Sequence, residues 1–312
     1  MTSARAPGKI ILFGEHAVVY GRPAIAIPVT QVQATATIDT LPEAPNGQIR
    51  LEAPDIGFAM WLHEAAHDDP IATATRLGIA EARRPIEEPF RLQVSSTIPI
   101  ASGLGSGTAV TVAILRAISA HLGSPLPPER LSQLAYEVEK LHHGTPSGID
   151  NTVVVYEHPV WFVRGQSPTP FPIRRPFDVV IAVSPQPART SVSVGQVRER
   201  WRADPTGTEA VFDAIGEVTT RARQAVEAGQ AAEVGEHMKE NQRWLRQLGV
   251  STPSLERLID AALASGAYGA KLSGGGLGGN VIAVCEPAAA PRLQQALRAA
   301  GAVHVLATQV GR

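Results

Sequence analysis

Residues 102–108 read Ser-Gly-Leu-Gly-Ser-Gly-Thr and run directly into an apolar stretch with helical spacing at Val110, Ile114, Ala117 and Ile118. The first turn of a helix has free N–H groups and the positive end of its dipole, so a glycine loop that opens a helix is an anion site. Gly103, Gly105 and Gly107 let the backbone approach a bulky anion such as a triphosphate. No Lys-Ser or Lys-Thr pair follows the last glycine, so this is not a Walker A loop. Ser106 and Thr108 stand at the junction. Each could cap the helix, or ligate Mg²⁺ beside a phosphate through its hydroxyl.

Two further constellations could carry chemistry. In Pro7-Gly8-Lys9-Ile-Ile-Leu-Phe-Gly14-Glu15-His16, a lysine enters an apolar strand and a charged triplet follows its end. Spacing alone leaves two readings open: a charged pair at a substrate cleft, or a surface lysine followed by a solvated turn. In His143-Gly144-Thr145-Pro146-Ser147-Gly148-Ile149-Asp150-Asn151, Asp150 leaves a tight turn ahead of an expected strand. Such an aspartate is often a local cap. It could equally accept a proton from a substrate hydroxyl, a role worth about 10²–10⁴-fold in rate. Glu139 flanks the stripe Leu131, Leu134, Ala135, Val138 and Leu141, and taken alone reads as a solvated edge residue. His142 and His143 read as dipole partners at that helix's C-terminal end, with Gly144 as its C-cap.

The later run Gly274-Gly275-Gly276-Leu277-Gly278-Gly279 fits Gly-x-Gly-x-x-Gly but is not a dinucleotide fingerprint. Asn-Val-Ile-Ala-Val-Cys follows it, which reads as a strand where the fingerprint needs a helix. No acidic residue stands about 20 positions further on in the expected place. A glycine loop between strands lets one backbone pack against another, or against a ligand.

Strands are expected at residues 10–13, 24–38, 90–98, 152–156, 178–183, 281–285 and 302–310. Helices are expected at 58–82, after the phosphate-type loop, along the 131–141 stripe, and at 208–228, 230–248, 254–265 and 291–300. Residues 41–47 read as a turn, as do 145–150. Proline-rich stretches at 168–176 and 185–187 place a division near residue 175, giving domains 1–175 and 176–312. Strands and helices alternate imperfectly, which points to α+β rather than a doubly wound sheet.

The 312 residues are 44% hydrophobic and 18% charged, a composition with enough apolar material for a sizeable core. A net charge of −1 points to no nucleic-acid or acidic-membrane partner. The single cysteine excludes an internal disulfide and a cysteine-built zinc site. No signal peptide is read at residues 1–8, and no run approaches the roughly 18 apolar residues of a membrane span, so a cytoplasmic protein is expected.

Taken in order, the motifs resemble the GHMP kinase superfamily, and within it the mevalonate kinase branch. Pro-Gly-Lys-Ile-Ile-Leu-Phe-Gly-Glu-His-Ala-Val-Val-Tyr-Gly resembles its opening signature, Gly-Leu-Gly-Ser its phosphate loop, and His-Gly-Thr-Pro-Ser-Gly-Ile-Asp-Asn its Asp-bearing turn. Lys271-Leu-Ser-Gly-Gly-Gly-Leu-Gly-Gly resembles its third motif. Galactokinases carry a Thr-Asp pair after Gly-Glu-His, where this chain has Ala17-Val18. The resemblance implies an α+β fold with an N-terminal domain like ribosomal protein S5 domain 2 and a ferredoxin-like C-terminal domain. It implies transfer of the ATP γ-phosphate to the 5-hydroxyl of mevalonate, with Mg²⁺ as cofactor. Asp150 would be the catalytic carboxylate and Lys9 its partner, lowering the pKa of the reacting hydroxyl. Lys9, Glu15, His16, Ser147 and Thr190 fall at substrate-holding positions. Ser102, Gly103, Leu104, Gly105, Ser106, Gly107 and Thr108 would bind ATP, and Glu139 with Ser106 the metal. A homodimer is compatible with the resemblance.

This chain departs from the family at three places. The second of two usual loop serines is Gly107, so Ser106, Thr108 or a water would supply the metal's missing ligand. In the third motif Gly275 replaces an alanine and Leu277 a glycine. Kinases of phosphomevalonate, homoserine or a sugar stay open as alternatives, as does a non-catalytic ligand-binding member. A phosphorylated substrate would need added basic groups, for which Arg189 is the candidate.

Overall fold

The computed structural model describes residues 1–143, 146–187 and 190–311, excepting the side chains of His142 and His143. Gly144, Thr145 and Arg189 therefore lie outside the described residues, as do the dipole roles expected of the two histidines. The chain groups into two compact units, neither of them one contiguous stretch. The first comprises Met1–Gly8, Val32–Ile98 and Gly105–Tyr156; the second comprises Lys9–Gln31, Pro99–Leu104 and Glu157–Arg312. A single division near residue 175 does not describe this grouping, because strands near the N-terminus run through both units.

Strand β1 covers Thr2–Phe13 and β2 covers Ala24–Thr40, both longer than their apolar runs. In the first unit, β3 (Ile49–Ala53) pairs antiparallel with β4 (Phe58–Trp61) and parallel with β5 (Phe90–Ser96), which pairs antiparallel with the later part of β2. Helix α1 spans Pro70–Ala82. The helix expected over 58–82 is shorter than that: Phe58–Trp61 is strand paired with β3, and the helix starts only where Asp69 caps it. Asp69 accepts from Ala72 N–H at 2.8 Å and Pro70 occupies the first turn.

Helix α2 (Ser106–His121) presents Val112, Ile114, Leu115 and Ile118 to the core, and α3 (Pro128–His143) buries Leu131, Leu134, Ala135 and Val138. Ile149–Tyr156 forms helix α4, not the turn and strand expected there. Its Val153, Val154 and Val155 favour strand locally. They are buried, however, and the Thr152 hydroxyl bonds back to the Gly148 carbonyl at 2.7 Å, so tertiary packing overrides propensity.

In the second unit, the start of β2 pairs with β6 (Val160–Phe162), which pairs with β7 (Thr169–Pro170). Strand β8 (Phe177–Val183) leads to α5 (Thr190–Ala203), a helix not anticipated from the sequence. Helices α6 (Pro205–Ala228), α7 (Ala231–Gln247) and α8 (Pro253–Ala264) follow. Then come β9 (Gly269–Ser273), β10 (Asn280–Cys285), α9 (Ala290–Ala299) and β11 (His304–Val310). The sheet order β11-β8-β10-β9, antiparallel throughout, is the ferredoxin-like arrangement expected for the C-terminal part.

Alternation along these strands sends Ala270 and Leu272 of β9 and Val281 and Ala283 of β10 into one core with Phe212, Leu245, Leu258 and Leu293. Lys271 and Ser273 consequently face the other side of the sheet. Helix α7 approaches β9 at backbone contact: a Cβ on Gly269 would lie 2.0 Å from the Gly235 carbonyl oxygen. Among the described residues, no helix is long and apolar enough to cross a membrane.

Candidate active site

In the first unit, Gly105 is the N-cap of α2 in the left-handed conformation, φ 75°, and no side chain caps the helix. Neither Ser106 nor Thr108 is therefore a cap. Ser106 is the first helical residue, and the Thr108 hydroxyl instead donates to Glu139 Oε1 of α3, with both residues buried. Glu139 is not the solvated edge residue that its position on the stripe suggests. Gly107 is exposed, and a Cβ built on it would meet nothing within 4 Å.

A helix start left open to anions, with a carboxylate and a hydroxyl joined one turn in, is an all-oxygen donor set that suits Mg²⁺. Among the described residues no group of three or more His, Cys, Asp or Glu could hold a metal. An ion here would take its remaining ligands from phosphate oxygens and water, as Mg²⁺ ordinarily does.

Asp150 lies in the first turn of α4, where the helix dipole favours a carboxylate. Asn151 fastens that turn to α3 by donating to the Ser132 carbonyl at 3.1 Å and to its hydroxyl oxygen at 2.7 Å. The Ser147 hydroxyl oxygen accepts weakly from Ile149 N–H at 3.4 Å, so it supports the helix start.

In the second unit, Lys9 is buried in β1, which removes the surface-lysine reading, and its N–H donates to the Leu104 carbonyl at 2.9 Å. Gly14 turns the chain at φ 94°; a Cβ there would lie 2.4 Å from the Pro23 carbonyl oxygen. Glu15 follows, wholly buried. It accepts from Lys271 Nζ on one oxygen and from Asn241 Nδ2 at 3.2 Å on the other. Its carboxylate is engaged in an internal ion pair and holds polar neighbours. Burial pushes the Glu15 carboxyl up and the Lys271 ammonium down, and each partner's charge opposes the shift of the other. In the sequence, Lys271 stands out only as the first residue of the third motif. Its sole sequence signal is a lysine inside an apolar strand.

His16 sits at φ 61° with Nε2 2.9 Å from the Gly275 carbonyl, so Nε2 carries the proton and donates. Burial lowers its pKa to about 4, and it is neutral near pH 7. Thr190, the first residue of α5, lies against the same glycine. A Cβ on Gly275 would stand 3.3 Å from Thr190 Cα and 2.5 Å from Ser193 Oγ. The Ser193 side chain therefore occupies the space that an alanine here would need. The structure thus gathers His16, Thr190 and Gly275. Leu277 adopts φ 58°, a strained conformation for a leucine, and its N–H is held by the Val250 carbonyl at 2.8 Å. Past the loop, Asn280 Nδ2 donates to the Ser102 carbonyl at 2.9 Å.

Comparison with known proteins bears on this arrangement. The family model described as GHMP kinases N terminal domain matches residues 71–158, and that described as GHMP kinases C terminal matches 222–303. A mevalonate kinase of Pyrococcus horikoshii is 33% identical over 331 aligned positions, covering 99% of this chain and 95% of that one. The solved L. major mevalonate kinase in complex with R-mevalonate superposes with a TM-score of 0.84 at 26% identity, covering 99% of this chain and 96% of that one. The Methanococcus jannaschii mevalonate kinase superposes with a TM-score of 0.85 over 99% and 98% of the two chains; at 24% identity this speaks to the fold.

Proposed function

The chain belongs to the GHMP kinases, and from that premise we propose that it transfers the γ-phosphate of ATP to the 5-hydroxyl of mevalonate. The observation that carries the phosphoryl-transfer part is the Thr108–Glu139 pair one turn inside a helix that no side chain caps. The mevalonate part is supported by the named relatives, which match this chain along almost its whole length.

Phosphoryl transfer asks a protein for positioning and charge stabilisation more than for covalent chemistry. Residues 102–108 cradle the ATP phosphates through backbone N–H groups. Glu139 and the Thr108 hydroxyl, with Ser106 beside them, would hold Mg²⁺, which would neutralise charge on the phosphate oxygens. Thr108 thereby fills the role left open by Gly107. Asp150 takes the proton from the substrate hydroxyl as its oxygen bonds to the γ-phosphorus and the bond to the leaving ADP breaks. Lys9 stabilises the hydroxyl oxygen as it gains negative charge. His16 and Thr190 border the alcohol, while Glu15 supports His16 from within; the family resemblance assigns Ser147 a substrate contact as well. The Nε2 donor of His16 is spent on Gly275, so Nδ1 is left as an acceptor for a substrate hydroxyl.

ADP release measured with Mg-ATP and a panel of mevalonate, phosphomevalonate, homoserine and galactose tests this reading. Mevalonate should give the highest kcat/KM; no turnover of mevalonate above background would remove it.

A further inference from the structure

We propose that Asn280 is a positioning residue for the nucleotide phosphates: its side-chain amide holds the Ser102 carbonyl and so turns the Gly103 N–H outward to them. This rests on the ATP-binding reading above, though not on the identity of the alcohol. Asn280 is wholly buried, and its Nδ2 donates to the Ser102 carbonyl at 2.9 Å. Its Oδ1 is buried too and, among the described residues, has no hydrogen-bond partner. A buried acceptor without a donor lowers stability, and leucine would fill a similar volume without that cost. Breaches of this kind concentrate where function requires them. The amide is kept for its donor, and the donor has one target.

That target matters because a trans peptide is planar, with its C=O and N–H pointing in opposite directions. No cis peptide occurs among the described residues. Holding the Ser102 oxygen therefore directs the Gly103 N–H the other way. The next-but-one peptide is fixed likewise, since Lys9 N–H holds the Leu104 carbonyl at 2.9 Å and so directs the Gly105 N–H. Among the described residues, neither glycine N–H donates to a protein acceptor. The Ser102 hydroxyl tightens the same turn, donating to the Pro99 carbonyl at 2.7 Å. Asn280 is itself rigid, because it opens β10 in register between Ser273 and Val183.

The test measures displacement of a fluorescent ATP analogue by ATP and by adenosine, which lacks phosphates. Asn280→Asp keeps the shape and loses the donor; Asn280→Leu also removes the orphaned oxygen. Each should weaken ATP by about tenfold and leave adenosine within about twofold. Folded variants with unchanged ATP affinity, or an equal loss for ATP and adenosine, overturn the proposal. Should neither variant fold, the wild-type Gly103 amide resonance decides: it should shift with ATP and not with adenosine, and no shift with ATP overturns the proposal. A wild type that binds ATP without phosphorylating mevalonate overturns only the substrate assignment. One that binds no ATP overturns both.

Discussion

Glu15 and Lys271 are 256 residues apart in sequence and form an ion pair with both side chains fully removed from solvent. Lys271 Nζ also donates to the Leu272 carbonyl at 2.7 Å, and Asn241 satisfies the far oxygen of Glu15. Breaking such a pair from one side leaves a buried charge uncompensated, which costs about 3–5 kcal/mol. Lys271→Met should therefore lower unfolding free energy in urea by about that amount. The double variant Glu15→Gln with Lys271→Met should recover most of the loss. A double variant less stable than Lys271→Met alone would show that the pair is not the unit of stability.

His16 gives a pH dependence of known sign. Its folded pKa of about 4 lies below the ordinary 6.5, because burial disfavours the imidazolium. The stability it contributes is fully present above pH 6.5 and is lost as pH falls toward 4, at most about 3 kcal/mol. His16→Asn, a residue that tolerates positive φ, should flatten urea-measured stability across that window. An unchanged slope would assign the acid sensitivity to other groups.

Much of this was legible in the chain. The glycine loop, the stripes of α2 and α3 and the strand–loop–strand form of 269–285 follow from spacing alone. What was not legible has physical causes. The valines of α4 favour strand until burial is counted. Spacing offered Lys9 as the charge nearest Glu15, whereas the fold supplies Lys271 from a distant strand. Thr108 looked like a cap because the bond it makes instead reaches a residue on another helix. Asn280 carries no pattern at all; only its buried contact with Ser102 marks it.

On the proposed reading the Thr108 hydroxyl, bonded to Glu139, stands in for the loop's missing serine. Thr108→Val keeps the shape and removes the hydroxyl. It should raise the Mg²⁺ concentration needed for half-maximal rate by about 10–100-fold. Gly107→Ser has room for its side chain and gains about 0.5 kcal/mol of helix propensity, yet should shift that Mg²⁺ requirement less than about threefold. The reverse ranking in a Mg²⁺ titration of the rate would return the metal's hydroxyl ligand to position 107.

Asp150→Asn removes the proposed proton acceptor without changing size. Turnover should fall about 10²–10⁴-fold while displacement of a fluorescent ATP analogue is preserved. Near-normal turnover would take Asp150 out of the chemistry.

The proposed reaction places phosphate on one particular oxygen. Purified protein, Mg-ATP and mevalonate should yield equimolar ADP and a monophosphate whose C5 protons couple to phosphorus in the NMR spectrum. Phosphate on the 3-hydroxyl or the carboxylate, or ADP formed without a phosphorylated alcohol, would rule out 5-phosphorylation of mevalonate.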